Sequence, residues 1–311
     1  MPDPGQLRLL ALIERHGSLT RAAHALGLTP AAVTGQVARA EREWKVPLVL
    51  RGPTGATLTA AGAVLATHGH AIDRHMSEAA VRLDALLGHL SLRLRVGAFH
   101  AATLHLLPHA LTALRHRHPD ADISVQDVAS DDGMDEIAAG RLDLAVIAGW
   151  GPPADPPPHV RVHHLLVDPL VVVLPDDHRL AAPALREVPM RLEELREESW
   201  VTIVAGDAAR EQFDRAAAGA GFTPTIRFQT ASYDVAQALV GTGIGVALVS
   251  RLALTRVPGT VPRPLARPRL HRTVHAVTPT ETSLTPLVEV FLALLGDVAD
   301  DITTTWTAQR S

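Results

Sequence analysis

The chain has 311 residues, 47% of them hydrophobic, enough for two or three domains with their own cores. It contains no cysteine, which excludes disulfides, thiolate metal sites, cysteine nucleophiles and thiol redox sensing. The net charge of −4 does not by itself advertise a nucleic-acid binder, and the lone lysine, Lys45, fits no phosphate loop or Schiff-base chemistry.

Charge is unevenly spread. Residues 1–60 hold seven Lys and Arg against four acids, a net +3 on an otherwise acidic chain. A modestly basic head on an acidic body fits a DNA-reading domain joined to something else. No apolar run is long enough to span a membrane. The start, Met1-Pro2-Asp3-Pro4-Gly5, has no basic region followed by an apolar core, so no secretory signal is expected and the cytoplasm is the expected compartment.

In chain order, a first helix is predicted over residues 5–16, with Leu7, Leu10, Ala11 and Ile13 on its buried side and Gly17 as its stop. A short second helix, residues 19–26, is capped by Ser18. After Gly27 a third opens with Thr29 as N-cap and Pro30 at the first helical position, where a missing N–H costs nothing. Leu28 and Val33 occupy the two positions of a hydrophobic staple. Helix, glycine-containing turn, helix is a helix-turn-helix signature, whose second helix enters the DNA major groove. Pro47 keeps residues 46–51 extended, Gly52-Pro53-Thr54-Gly55 makes a turn, and Ala56-Thr57-Leu58 returns as a strand, giving a wing.

Thr59 then caps a long helix over residues 60–88. Its apolar positions, Val64, Ile72, Met76, Ala79, Leu83, Leu86 and Leu90, follow spacings of three and four that indicate a coiled-coil seam about 40 Å long. Beyond Ser91 the pattern alternates strand and helix. Strands are expected at 92–96, 122–128 and 142–147, with helices at 102–118 and 133–139, and a proline-rich loop covers 151–159. A second set has strands at 170–174, 201–204, 226–229 and 246–249, helices at 208–218 and 233–240, a late strand at 272–277 and a last helix at 286–295. Such alternation implies parallel pairing with crossover helices, an α/β fold. The Thr-rich stretch from Asp300 is expected to fray.

With these elements in order, the chain resembles the LysR-type transcriptional regulators over nearly its whole length. Gly17-Ser18-Leu19-Thr20-Arg21-Ala22-Ala23 is similar to the family's Gly-Ser-Phe-Thr-x-Ala-Ala. Val46-Pro47-Leu48 with Arg51 resembles Val-Pro-Leu-Phe-x-Arg, and Leu58-Thr59-Ala60-Ala61-Gly62 resembles Leu-Thr-x-Ala-Gly. Leu106-Leu107-Pro108, His118-Pro119-Asp120, the run from Gly140 to Ala145 and the run from Gly241 to Leu248 match effector-domain landmarks. Two positions depart: where the family often has Gln and Arg in Ser-Gln-Pro-Ala-Leu-Ser-Arg-Gln, this chain has Pro30 and Gly35. The operator preference of relatives therefore does not carry over.

The resemblance implies an N-terminal winged helix-turn-helix (residues 1–59), a linker helix that dimerises (60–90) and a periplasmic-binding-protein-like, type 2 effector domain (91–300), then a tail (301–311). Subdomain I would hold about 91–167 and 271–300, and subdomain II about 168–270. The implied partners are double-stranded DNA, a small-molecule effector in the cleft between subdomains, and further copies of the chain as a homodimer or homotetramer, with RNA polymerase as another partner. No cofactor, metal or catalytic residue is expected.

Several residues follow as candidates. Thr29, Thr34 and Gln36 lie on the leading turns of the recognition helix. Gln pairs with adenine, and Thr reaches a phosphate or a thymine methyl. Ala31 and Ala32 sit beside them. Arg39 one turn on and Arg51 by the wing are expected phosphate contacts, which position the protein without reading sequence, and Ser18, Thr20 and Arg21 of the preceding segment are further expected DNA-binding residues. In the cleft, ligand groups come from strand C-termini and helix N-termini. That points to Phe99, His100, Thr103 and Ser130 on one side and Thr202 and Ser232 on the other. Free N–H groups at helix ends favour an anion, and the resemblance adds the family's habit of carboxylate effectors, while the effector's identity is left open.

Other signals carry less. Gly241-x-Gly243-x-Gly245 follows a helix and precedes a strand, the reverse of a dinucleotide loop. His105 and His109 share a helix face without the glutamate of a His-Glu-x-x-His pair. The alternative reading is a solute-binding or sensory module whose head mediates protein contacts. An enzyme ranks below it, since no nucleophile motif, metal cluster or phosphate loop is present.

Overall fold

The computed structural model describes residues 3–52, 55–86, 92–151, 155–280 and 285–308. Helix α1 spans Pro4–His16, α2 Leu19–Ala25 and α3 Pro30–Trp44. Each start is fixed by a side chain. Asp3 accepts the Gly5 N–H at 2.9 Å, Ser18 that of Arg21 at 3.5 Å, and Thr29 that of Ala32 at 3.2 Å. α1 stops at Gly17, whose φ of 58° is left-handed backbone that suits glycine. Leu9, Leu10 and Ile13 meet Ala22, Ala23, Val33, Val37 and Ala40 in one small core. Of the expected staple, Val33 is buried while Leu28 stays 39% exposed.

Strands β1 (Val49–Gly52) and β2 (Gly55–Leu58) pair antiparallel as the wing. The Glu41 carboxylate accepts the N–H groups of Leu48 and Val49 at 2.9 and 3.2 Å and so carries the chain from α3 into β1. Pro53 and Thr54 of the expected turn lie outside the described residues. Helix α4 spans Ala60–Leu86; Gly88 and Leu90 of the expected seam also lie outside them. Its first half packs against the head through small residues on one face. A Cβ at Gly62 would stand 2.1 Å from the Leu48 carbonyl oxygen, and one at Gly69 2.2 Å from that of Leu7. Ala66 between them is buried, and Val64, Met76 and Leu83 are more than half exposed.

The effector domain follows, with β3 (Arg93–Ala98), α5 (His100–His105), α6 (Leu107–Arg117), β4 (Asp122–Asp127), α7 (Gly133–Ala138) and β5 (Leu144–Gly149). The single helix expected at 102–118 is two helices. Pro108 has no N–H to give the carbonyl four residues back, and the axis breaks at Leu106. Next come β6 (Val160–Pro175), β7 (Met190–Arg191), β8 (Ser199–Ile203), α8 (Ala208–Gly219), β9 (Thr225–Thr230), α9 (Tyr233–Val240), β10 (Val246–Ser250), β11 (Thr260–Arg267), β12 (His271–Pro279) and α10 (Pro286–Ala308).

The strand order is β4-β3-β5-β12-β6-β10-β8-β9, with β11 on β6 as well. β3 pairs parallel with β4 and β5, and β8 parallel with β9 and β10, as the strand–helix alternation requires. β6 is one 16-residue strand serving two lobes. Residues 160–169 pair with β12, and residues 170–175 with β10 and β11. The sequence reading finds only its second half, because polar residues interrupt the first. It misses β11 altogether, where Pro262 and Pro264 argue against a strand. Two residues apart, those prolines leave their missing donors on one side of the strand, while Val261, Arg263 and Leu265 are buried.

Over residues 301–308 the expected frayed tail is overturned; residues 309–311 lie outside the described residues. α10 continues to Ala308 because Ala299 is buried and Ile302 and Trp306 pack on the core. The Arg251 guanidinium lies 5.2 Å from the Trp306 ring centroid. The Thr303, Thr305 and Thr307 hydroxyls donate to carbonyls four residues back, which satisfies them within the helix.

An ionic cluster joins the head to the effector domain. Glu136 on α7 is buried and accepts Arg141 at 2.8 and 2.9 Å and Arg15, from the end of α1, at 3.1 Å. His70 on α4 bonds Glu14 at 3.1 Å and Arg141 at 3.4 Å. Burial alone would raise the Glu136 carboxyl; Arg141, Arg15 and His70 outweigh it and hold the group below its usual range.

Two glycine substitutions test this packing. Gly69→Val forces α4 away from α1 and should cost about 1–3 kcal/mol, read as a lower Tm. At Gly35, in the exposed face of α3, an added Cβ would meet nothing within 4 Å. Gly35→Ala should therefore stabilise by about 0.5–1 kcal/mol. Equal effects of the two would contradict the close helix crossing.

Candidate functional site

The head offers one polar face to solvent. Val33, Val37 and Ala40 turn inward, so Ala31, Ala32, Gly35, Gln36 and Arg39 of α3 are exposed. Thr34 is half-buried at the edge, and Thr20 and Arg21 are exposed on α2. The oxygens of Ser18 and Thr29 are engaged as helix caps, so their first role is structural. The Arg39 guanidinium bonds Glu43 at 2.9 Å, which raises its pKa, and Glu43 also accepts the Gln6 amide at 2.8 Å. That ion pair is exposed and weak enough to yield to a phosphate. Arg51 lies on β1, paired with Ala56 of β2.

The second site lies where the chain passes between the two lobes. Asp168 of β6 is fully buried. It accepts the Arg272 Nε–H at 2.9 Å, the Leu252 N–H at 2.9 Å and the Ser250 hydroxyl. Arg272 of β12 also donates Nη2–H to the Ser250 Oγ at 2.9 Å. Both crossing strands are thus pinned to the end of β10. The guanidinium lies 4.7 Å from the Phe99 ring centroid of one lobe and 5.9 Å from the Tyr233 ring centroid of the other. It forms the floor of a cavity of about 580 Å³ between the lobes, a size suited to a small molecule. Near its mouth His100 Nε2 and Asp234 Oδ2 meet at 2.9 Å, one from each lobe.

Phe99, His100, Ser130 and Ser232 line this cavity. Ser130 Oγ is held by the Ala148 N–H at 2.9 Å, and Ser232 Oγ caps the Asp234 N–H at 3.2 Å. Thr103 and Thr202 do not line it. The Thr103 hydroxyl turns back to the Ala98 and Phe99 carbonyls. Ile203 lines the cavity, and Thr202 lines only the adjoining crevice of about 10 Å³, which shares Ile203, Ala209 and Tyr233 with it, where its hydroxyl is bonded to Arg210.

Sequence reasoning missed Asp127, Asp131, Asp207, Asp234, His105, Tyr233 and Arg272, all in the cavity wall. The rule that picked Ser130 and Ser232, strand ends and helix starts, would have found the aspartates as well. Only its position at a crossover marked Arg272. The Tyr233 hydroxyl and His105 Nε2 are buried without a partner. Burial pushes the Tyr233 hydroxyl up to about 12 and the His105 ring below its usual range.

Tyr233 is the chain's one tyrosine, so its titration is read directly. Tyrosinate absorbance at 295 nm should stay flat in the native protein through pH 11, against an ordinary midpoint of about 10. A midpoint near 10 would show the hydroxyl to be solvated.

Residues 4–63 match the family described as bacterial regulatory helix-turn-helix protein, lysR family, and residues 87–300 match the LysR substrate binding domain. The HTH-type transcriptional regulator CbbR of Xanthobacter flavus is 31% identical over 248 residues, covering 79% of this chain and 72% of that protein. A probable RuBisCO transcriptional regulator of Synechocystis sp. is 28% identical over 254 residues, covering 81% and 72%. Among solved structures, a full-length OxyR from Pseudomonas aeruginosa with one cysteine replaced by aspartate shares the fold at TM-score 0.66 and 21% identity, over 96% of this chain and 95% of that one. CbnR complexed with its target DNA does so at TM-score 0.60 and 18% identity, over 96% and 100%. The helix-turn-helix head, the long linker helix and the two-lobed ligand domain are those of one family, and the chain belongs to the LysR-type transcriptional regulators.

Proposed function

We propose that DNA binding by this LysR-type regulator is governed by a small molecule held between the lobes of its effector domain. The observation that carries this is the cavity of about 580 Å³ whose floor, Arg272, is covered by a ring from each lobe. A ligand touching Phe99 and Tyr233 together binds best at one lobe separation, and a ligand shifts an equilibrium only by such a difference in affinity. The protein performs no covalent chemistry on that molecule. Among the described residues no helix is long and apolar enough to cross a membrane. The cytoplasm, where the DNA lies, is the proposed location.

On DNA, Gln36 reads a base edge while Arg21, Arg39 and Arg51 hold phosphates. Thr20, Thr34, Ala31 and Ala32 line the same surface. Two copies join through the exposed line of Met76, Ala79 and Leu83 on α4, which presents two heads to two half-sites. Assembly of such dimers into a tetramer is part of the same proposal.

Labelled duplex from the gene's own upstream region tests the head by fluorescence anisotropy. Affinity should fall steeply with salt. Arg51→Ala should weaken all sequences alike and lower the salt slope by about one. Gln36→Ala should cost about 1–3 kcal/mol of discrimination at one base pair. No salt-sensitive binding above micromolar protein, or a uniform loss with Gln36→Ala, would contradict these assignments.

The cleft is tested by plugging it. Ala208 lines the cavity from the start of α8, outside the hinge. Ala208→Trp should leave operator binding intact yet make a reporter promoter indifferent to growth conditions that change its output with the wild-type regulator. A variant that responds like the wild type would place the effector elsewhere.

A further inference from the structure

We infer that the cleft takes an organic cation, an amine-bearing molecule with an apolar or aromatic body, rather than a carboxylate. This rests on the reading of the cavity as the effector site and concerns only the chemistry of its occupant. At α8 and α9, the two longer helices that start at the cavity, the chain's own side chains occupy the N-termini that an anion would use. At α8, Asp207 Oδ1 accepts the Ala209 N–H at 2.8 Å. At α9, Ser232 caps the helix and Asp234 places its carboxylate in the first turn. α5 is only six residues long and begins at Phe99 without a side-chain cap.

Charge points the same way. Asp127, Asp131, Asp207 and Asp234 line the cavity against one arginine. That arginine, Arg272, is already matched by Asp168 and Ser250 behind it. His100 meets Asp234, and burial disfavours the charged form of His105. Low-dielectric walls such as Val128, Ala148 and Ile203 focus the field of the four carboxylates into the space between the lobes. An ammonium group is drawn in, and a carboxylate meets like charge on both sides.

The Tyr233 hydroxyl is fully buried and unpartnered, a state that native interiors avoid. Tyr233 lines both the cavity and the crevice of about 10 Å³ beside it, and its hydroxyl is shut off from the open space. Phe99, Tyr233 and Trp150 give the ligand's body aromatic surface, and ring faces also attract cations.

The test uses three probes of one shape and different charge on the full-length protein: phenethylamine, 2-phenylethanol and 3-phenylpropionate. Isothermal titration calorimetry at pH 7.5 should show the amine binding at least tenfold more tightly than the carboxylate, with the alcohol between. Asp131→Asn combined with Asp207→Asn should weaken the amine at least tenfold and leave the alcohol unchanged. Asparagine keeps the α8 cap, and circular dichroism verifies the fold. Carboxylate binding as tight as amine binding, abolished by Ala208→Trp, would overturn the cation while leaving the cleft as effector site. An amine preference indifferent to the double variant would also overturn it. Absence of binding by all three at 10 mM would overturn the cation, while the cleft as effector site stands or falls on the Ala208→Trp reporter.

Discussion

The buried pair of Asp168 and Arg272 is the constraint on which the effector domain depends. Two strands pass between the lobes, and each carries one partner of the pair at the crossing. An ion pair in the interior loses hydration and recovers it only with good geometry and further hydrogen bonds. Here the Leu252 N–H and the Ser250 hydroxyl supply them to Asp168, and Ser250 also accepts from Arg272. Removing one partner would strand the other charge at a cost of about 3–5 kcal/mol. The pair is thus a weak source of stability but a strong source of registry. It fixes β6 against β12, and it sets the guanidinium under Phe99 and Tyr233.

The cleft's other properties follow from that placement. Because Arg272 is saturated from behind, its charge does not make the cavity basic, and the aspartates at the strand and helix ends set the sign. The lobe that contributes Phe99 also holds the DNA-binding head, through Arg15, Arg141 and His70 around Glu136. The cavity floor and the head contact therefore belong to the same lobe. Small residues on α4 complete the connection: Gly62, Ala66 and Gly69 let the backbones of α4 and the head approach closely. Sequence periodicity alone would assign all of α4 to a coiled coil, yet its first half is partnered within the chain.

Local chemistry that a short window contains was legible in the sequence. Caps at Ser18 and Thr29, the stop at Gly17, the turn at Gly27 and the extended segment at Pro47 place the head's elements to within a residue or two. Features decided by distant partners were not. β11 reads as irregular because its prolines are visible and its neighbour β6 is not. The threonine-rich end of α10 reads as a tail because Trp306 finds its place only against the core and Arg251. Thr202 was assigned to the cleft because β8 was known but not which of its faces looks inward. The acidic wall was missed for another reason: attention went to hydroxyls and aromatics at element ends, although the same positions carry Asp127, Asp131 and Asp207.

The central claim is that Asp168 and Arg272 hold the two lobes in one geometry. The absence of native cysteine allows clean labelling at Thr112→Cys on α6 and Arg215→Cys on α8, both on opposite lobes and reachable from solvent. Electron–electron distance measurement, with labelled chains diluted among unlabelled ones, should give a single narrow distribution when Asp168 is present. It should give a broad or shifted one in Asp168→Ala at unchanged helix content. An equally narrow distribution at the same distance in both proteins would contradict the account.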